Sequence, residues 1–286
     1  MAIRNSRAGR TFAVYESGML TFPNAKINLG LRITARRPDG FHDLQSCFYP
    51  VGWSDVLEIV PASSVGFGST GLPIPGDPLQ NLCVKAYELL RADYALPPVQ
   101  MHLQKIVPIG AGLGGGSADA AFCLRLLNDQ FGLGIGPDGL EDYARRLGSD
   151  CAFFVRNKPV YCVGKGDEFE PIDLSLAGYH IVLVYPNLAI STAEAYAGVR
   201  PQQPDQSLRY QLSLPIDQWR HTVRNDFENS LFPAHPVLPA VKQQLYDLGA
   251  VYASMSGSGS TIYGIFDAPP ADLNQFSEYR VWQGNL

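Results

Sequence analysis

The chain has 286 residues, 46% of them hydrophobic, and a formal net charge of −5. That length allows one large domain or two ordinary ones, and the apolar content suits a well-buried core. The acidic balance leaves no basic excess, which argues against nucleic acid as a partner, and no apolar run approaches the ~20 residues needed to cross a bilayer.

The five cysteines, Cys47, Cys83, Cys123, Cys151 and Cys162, show no C-x-x-C pairing, and several sit in apolar runs. They read as buried free thiols in a reducing, cytoplasmic compartment, not as a disulfide or metal framework. The first ten residues carry Arg4, Arg7 and Arg10 with little to bury, and lack the apolar centre of a secretory signal. Residues 1–18 are therefore expected to form a flexible tail or an upstream start, with the folded part beginning at Met19.

Residues 20–35 read as a strand, with Ile27, Leu29, Leu31 and Ile33 on one face and Asn24, Lys26, Asn28 and Gly30 on the other. Residues 44–60 supply more strand. Residues 61–80, rich in Gly, Pro and Ser, read as a long loop. A helix is expected over 81–94 and a strand over 99–106. Helices follow over 117–128 and near 139–147, then extended segments over 151–155 and 159–163. In the second half the pattern predicts a buried strand at 180–185, a short helix at 191–199 and a polar, proline-rich loop over 200–218. An amphipathic helix at 237–248 precedes strands at 251–254 and 261–266, which are joined by the turn Ser256-Gly-Ser-Gly-Ser260. The mixture predicts an α+β chain, with domains over 19–163 and 164–286.

The stretch Pro108-Ile-Gly-Ala-Gly-Leu-Gly-Gly-Gly-Ser117 is the most informative. Five glycines fall between Gly110 and Gly116 and lead into a helical run. Glycine lets the backbone turn sharply and approach a ligand closely, and the free N–H groups at a helix N-terminus attract phosphate. A tight structural turn capped by Ser117 is the plainer alternative. The stretch is not a Walker loop, because no lysine precedes Ser117. A dinucleotide fold would need an acid ending a strand about 20 residues on, whereas Asp129 ends a helical run.

Lys26 on an otherwise apolar strand is either a solvated residue or a functional cation. Asp150, followed by the apolar run 151–154, will be partly desolvated if it is not merely a turn residue. His42 follows Asp39-Gly40 and is either a turn histidine or a ligand contact.

Taken in order, Pro23-Asn-Ala-Lys-Ile-Asn-Leu-Gly-Leu31, Gly40-Phe-His-Asp-Leu-Gln45, the glycine loop, Gly148-Ser-Asp150 and Ser256-Gly-Ser-Gly-Ser260 resemble the GHMP small-molecule kinases. The resemblance spans about residues 19–286. It implies a two-lobed α+β fold, with an N-terminal lobe like ribosomal protein S5 domain 2 that binds ATP and a C-terminal GHMP-kinase lobe. The Asn-Ala-Lys-Ile-Asn and Gly-Phe-His segments resemble the branch that uses ATP to phosphorylate the 2-hydroxyl of a cytidine-diphosphate-linked methylerythritol, in non-mevalonate isoprenoid synthesis. A mevalonate- or homoserine-type kinase and a non-catalytic nucleotide-binding protein are the alternatives.

By the same resemblance, Asp150 and Lys26 are the catalytic aspartate and lysine. Pro108, Ile109, Gly110, Ala111, Gly112, Leu113, Gly114, Gly115, Gly116, Ser117 and Ala118 wrap the ATP phosphates, with Asn81 and Lys105 near the nucleotide. Ser117 is a candidate ligand of Mg²⁺. Phe41 and His42 face the cytosine, Asn28 the methylerythritol, and Thr192 and Tyr196 form a second substrate segment. The family commonly has phenylalanine where this chain has Tyr196, alanine where it has Ser149 and valine where it has Cys151; none of these departures changes the charge of the site. The expected partners are the small-molecule substrate and ATP, with no nucleic acid and no membrane. The expected assembly is a monomer or weak homodimer.

Overall fold

The computed structural model describes residues 18–286. Of the expected tail, residues 1–17 lie outside the described residues. In chain order the first elements are β1 (Met19–Thr21), β2 (Asn24–Arg36), β3 (His42–Ser54), β4 (Val56–Pro61), β5 (Gly66–Gly71), α1 (Leu82–Tyr94) and β6 (Val99–Lys105). Next come α2 (Gly115–Gln130), α3 (Pro137–Arg145), α4 (Cys151–Arg156), β7 (Val160–Val163), β8 (Glu168–Pro171) and β9 (His180–Tyr185). The last are α5 (Thr192–Ala197), α6 (Leu208–Leu212), α7 (Trp219–Thr222), α8 (Asp226–Leu231), α9 (Val237–Asp247), β10 (Tyr252–Met255), β11 (Ile262–Phe266) and β12 (Arg280–Asn285).

Two compact units emerge, and they are not the two continuous halves expected. One gathers the described chain up to residue 24 with 54–107 and 115–157; the other gathers 25–53, 108–114 and 158–286. The interleaving follows from strand pairing. β3 pairs with β7, which lies more than 100 residues on, so β2 and β3 join the C-terminal part of the chain.

In the first unit a four-stranded sheet, ordered β1-β4-β6-β5, packs under a layer formed by α1, α2, α3 and α4. β6 alternates buried and exposed side chains along its whole length, the period-two pattern of a sheet with one covered face. β5 lies where a loop was expected. Its Gly-Phe-Gly-Ser-Thr-Gly sequence has poor strand propensity, and its form is imposed by parallel pairing with β6. α4 was expected to be extended. A short apolar run cannot be told from a helix by periodicity, and Cys151, Ala152, Phe153, Phe154 and Val155 are all buried, as in a helix packed on several sides.

The second unit holds two four-stranded sheets, β2-β3-β7-β8 and β10-β11-β9-β12. Its core joins Leu31 and Ile33 of β2 with Val182 and Val184 of β9, Phe227 and Leu231 of α8, and Leu238, Val241 and Leu245 of α9. The loop expected over 200–218 contains α6. Ser207 caps it by accepting from the Tyr210 amide at 3.2 Å, and its Leu208 and Leu212 are buried. Leu208 packs against Gly30 of β2, where a Cβ would lie 2.5 Å from the leucine methyl.

Gly30 also has φ of +65°. Gly30→Ala is thus expected to lower unfolding free energy by about 1–3 kcal/mol, through left-handed strain and the displaced Leu208. Urea denaturation of the two proteins measures the difference.

Candidate active site

The glycine loop turns through left-handed backbone at Gly110, Gly112 and Gly114, with φ of +65°, +78° and +70°. Gly112 is the tightest position, since a Cβ there would sit 2.0 Å from the Ser256 carbonyl oxygen. The Ser256 hydroxyl donates to the Gly112 carbonyl at 2.8 Å, and the Thr261 amide donates to the Ala111 carbonyl at 3.2 Å. The second glycine turn thereby acts as a platform for the first. Pro108, Ala111, Leu113, Gly115 and Ala118 are buried and anchor the segment, while Ile109, Gly110 and Gly116 are exposed. A Cβ at Gly110 or Gly116 would meet nothing within 4 Å, so packing does not explain glycine at either position. α2 begins at Gly115, which puts Ser117 inside its first turn and not at the N-cap expected.

Lys26 is 3% exposed, which removes the solvated reading. Its Nζ donates to Asn28 Oδ1 at 2.6 Å and to the Gly112 carbonyl at 3.3 Å, and lies 4.7 Å from the Phe48 ring centroid. Its amide donates to the Leu113 carbonyl at 2.9 Å, so strand and loop are joined by main chain as well. Asn28, also buried, donates to the Ser46 hydroxyl at 2.8 Å, which donates in turn to the Gly30 carbonyl at 2.7 Å. The polar face of β2 is thus a chain of satisfied hydrogen bonds in the interior.

Asp150 is half-buried immediately before α4 and accepts from the Ser149 hydroxyl at 3.2 Å. The next residue, Cys151, opens α4 and is fully buried. Burial pushes this thiol up to about 11, with the negative charge of Asp150 adding to the shift. α4, which follows the aspartate, packs against α2, the helix that follows the glycine loop.

Lys105 differs from expectation. It is 3% exposed, and its ammonium is held by Asp55 Oδ2 at 2.5 Å and Asp119 Oδ2 at 2.8 Å. Asp55 Oδ1 accepts the Ile106 and Val107 amides at 2.5 and 2.8 Å. The triad binds the end of β6, which feeds the glycine loop, to the first turns of α2, which leaves it. Lys105 is a buried ion-pair partner, with two of its three donors engaged by carboxylates. Burial pushes the Asp119 carboxyl up to about 7, with Lys105 opposing the shift and Asp55 reinforcing it.

Among the substrate-side candidates, His42 and Tyr196 stack, with ring centroids 4.8 Å apart, and Phe227 meets Tyr196 edge-on at 4.8 Å. Phe41 is 60% exposed, with Lys165 Nζ 5.2 Å from its ring centroid. Thr192 is exposed at the start of α5, which Ser191 caps. Asn81 is the N-cap of α1, accepting the Cys83 amide at 2.9 Å. Sequence reasoning missed Asp55, Asp119, Ser46 and Asn225, which act through partners distant in sequence. For Asn225 the available signal was an asparagine preceding an apolar helical run.

Among the described residues no group of three or more His, Cys, Asp or Glu could hold a metal ion. Ser117, in the first turn of α2, offers a hard oxygen donor at the helix start. That fits a Mg²⁺ brought in on phosphate and water, which needs few protein ligands.

Comparison with known proteins agrees with this architecture. Residues 81–158 match the family described as GHMP kinases N terminal domain, and residues 216–279 match GHMP kinases C terminal. The 4-diphosphocytidyl-2-C-methyl-D-erythritol kinase of Parabacteroides distasonis is 49% identical over 94% of this chain and 100% of its own. That of Bacteroides thetaiotaomicron is 52% identical over 87% of this chain and 92% of its own. A crystal structure of 4-(cytidine 5'-diphospho)-2C-methyl-D-erythritol kinase superposes with a TM-score of 0.81 at 32% identity, covering 93% of this chain and 98% of the other. The chain is a GHMP kinase by fold and domain content, and it belongs to the 4-diphosphocytidyl-2-C-methyl-D-erythritol kinase family. The mevalonate-type, homoserine-type and non-catalytic alternatives give way to that membership.

The triad yields a stability prediction. Lys105→Met leaves two buried carboxylates without their cation and is expected to cost about 3–5 kcal/mol. Asp119→Asn should cost less, and the pH dependence carries the diagnosis. A carboxyl raised to about 7 in the folded protein holds its proton where the unfolded chain has lost it. That advantage is fully present below pH ~4 and gone above pH ~7. The melting temperature of the native protein is therefore expected to fall, relative to Asp119→Asn, as pH rises through this window; parallel melting curves would count against the shift.

Proposed function

We propose that the protein transfers the γ-phosphoryl group of ATP to the 2-hydroxyl of 4-diphosphocytidyl-2-C-methyl-D-erythritol, releasing ADP and the 2-phosphate. The observation that carries this reading is the buried Lys26 ammonium held against the carbonyl of Gly112 in the glycine loop. A cation removed from water at a phosphate-binding loop is a costly arrangement that charge stabilisation explains better than packing. Near-complete coverage of the Parabacteroides distasonis relative extends the reading to the whole reaction.

The hydroxyl oxygen attacks the γ-phosphorus while the bond from that phosphorus to the β-bridging oxygen breaks, and ADP leaves with that electron pair. Asp150 accepts the hydroxyl proton as transfer proceeds. Lys26 stabilises the negative charge at the attacking oxygen. The amides of the glycine loop and of the first turn of α2 hold the β- and γ-phosphates, and Asn28 contacts the methylerythritol. Mg²⁺, bound through the phosphates with Ser117, would neutralise their charge. Tyr196 and His42 pair as a stacking surface for the cytosine, His42 offering a donor and an acceptor to the base edge. Phe41 packs on the same base, and Thr192 lies at the edge of that surface. The reaction suits a cytoplasmic enzyme, and no described helix is long and apolar enough to cross a membrane.

Coupled ADP release with the cytidine substrate, set against mevalonate, homoserine and galactose, tests the substrate; equal or greater turnover of any of the latter would overturn it. Asp150→Asn is expected to lower kcat by about 10²–10⁴-fold with ATP binding retained. Lys26→Met should lower kcat as severely, and its burial adds a stability loss of about 1–3 kcal/mol from the unpaired Asn28 oxygen. Near-normal kcat in either variant would remove that residue from the chemistry.

His42→Ala is expected to raise KM for the cytidine substrate roughly 5- to 150-fold and leave KM for ATP unchanged. Titration of each substrate against both proteins measures this; equal shifts for the two would point to general damage.

A further inference from the structure

Asn225 has no part in the reaction as written, yet it is 2% exposed and makes three hydrogen bonds. Its Nδ2 donates to the Met255 carbonyl at 2.7 Å and the Gly257 carbonyl at 2.8 Å, and its Oδ1 accepts the Phe227 amide at 3.0 Å. We propose that Asn225 is a positioning residue for nucleotide binding, fixing the 255–257 turn on which Gly112 of the glycine loop rests. This builds on the reading of that loop as the ATP site.

The turn has little room to shift. On its approach, Glu228 Oε1 accepts the Met255 amide at 2.8 Å and the Ser254 hydroxyl at 3.0 Å, while Lys242 holds the other carboxylate oxygen at 2.6 Å. Between the two carbonyls that Asn225 grips stands Ser256. Its hydroxyl donates to the Gly112 carbonyl at 2.8 Å, and its own carbonyl occupies the space a Cβ on Gly112 would need. Rotating the peptides around Ser256 would either push this carbonyl into Gly112 or withdraw the hydroxyl from it. The same hydroxyl accepts the Asn28 amide at 3.3 Å, so the strand that carries Lys26 rests on the same turn. An asparagine suits residue 225 because it combines two donors for the carbonyls with one acceptor for the first turn of α8.

Aspartate at this position has the same shape and keeps the acceptor, but removes both donors and sets a negative charge against two carbonyls. Serine also caps the helix, removes the donors and adds no charge. Asn225→Asp and Asn225→Ser are each expected to raise KM for ATP about ten-fold or more and lower kcat, with KM for the cytidine substrate within about two-fold of the native value. Val241→Ala, in the core of the same unit, supplies a control that loses stability without touching the turn; its KM for ATP should stay unchanged. Ser256→Ala completes a double-mutant cycle with Asn225→Ser, and a route through Ser256 requires the paired effects on ATP affinity to be less than additive. Direct titration of the native protein with ATP is read first. Native protein that fails to bind ATP would overturn the reading of the loop and the proposal with it. Native binding, together with folded residue-225 variants of unchanged KM for ATP, would overturn the proposal alone. So would additive effects in the cycle, a matching KM shift in Val241→Ala, or failure of both residue-225 variants to fold, which would make Asn225 a folding residue only.

Discussion

The contact on which the glycine loop depends is the approach of Gly112 to Ser256, close enough to leave no space for a side chain. Two segments about 140 residues apart meet there main chain to main chain, with hydroxyl and amide donors at 2.8 and 3.2 Å joining them. Phosphate recognition by backbone amides requires that those amides point one way before the ligand arrives, because ordering a flexible glycine loop on binding would consume much of the affinity. Glycine supplies the turn but no rigidity of its own. The rigidity comes from what the loop leans on within its own unit, the Ser256 turn and β2.

This division explains what the sequence disclosed. The glycine loop was legible because its chemistry is local: consecutive backbone positions, then a helix start. Lys26, Asp150 and His42 stood out through motifs, and the fold class followed from the alternation of helical and period-two patterns. The supports were hidden because their partners are remote. Asp55 meets Lys105 across 50 residues, and Asn225 meets Met255 across 30. Neither pairing leaves a periodic trace. β5 was hidden for a related reason, since a glycine-rich edge strand takes its form from its neighbour. α4 was misread because five buried apolar residues in a row satisfy strand and helix patterns equally. Lys105 was placed at the nucleotide by resemblance, and its burial between two aspartates could be seen only in the structure.

Buried polarity on β2 and around residue 225 is paired in runs of hydrogen bonds. Lys26, Asn28, Ser46 and the Gly30 carbonyl form one run of hydrogen bonds, and Asn225 with the Met255 and Gly257 carbonyls forms another. Such groups contribute little net stability when satisfied and cost a great deal when a partner is removed. They act as specificity devices, since a slipped register or a rotated turn would strand several of them at once.

Two lysines of equal burial show how environment assigns different work to one side chain. Lys105 is neutralised within its unit by Asp55 and Asp119, and its charge is spent on holding backbone. The oxygens of Asn28 and Gly112 orient Lys26, and the Phe48 ring lies 4.7 Å from its ammonium. A carbonyl and an amide oxygen fix an ammonium in direction beside the loop. Local chemistry sets the direction of each ammonium: an aspartate in place of Asn28 would set a carboxylate against Lys26 and draw it away from the loop carbonyl that it now meets at 3.3 Å.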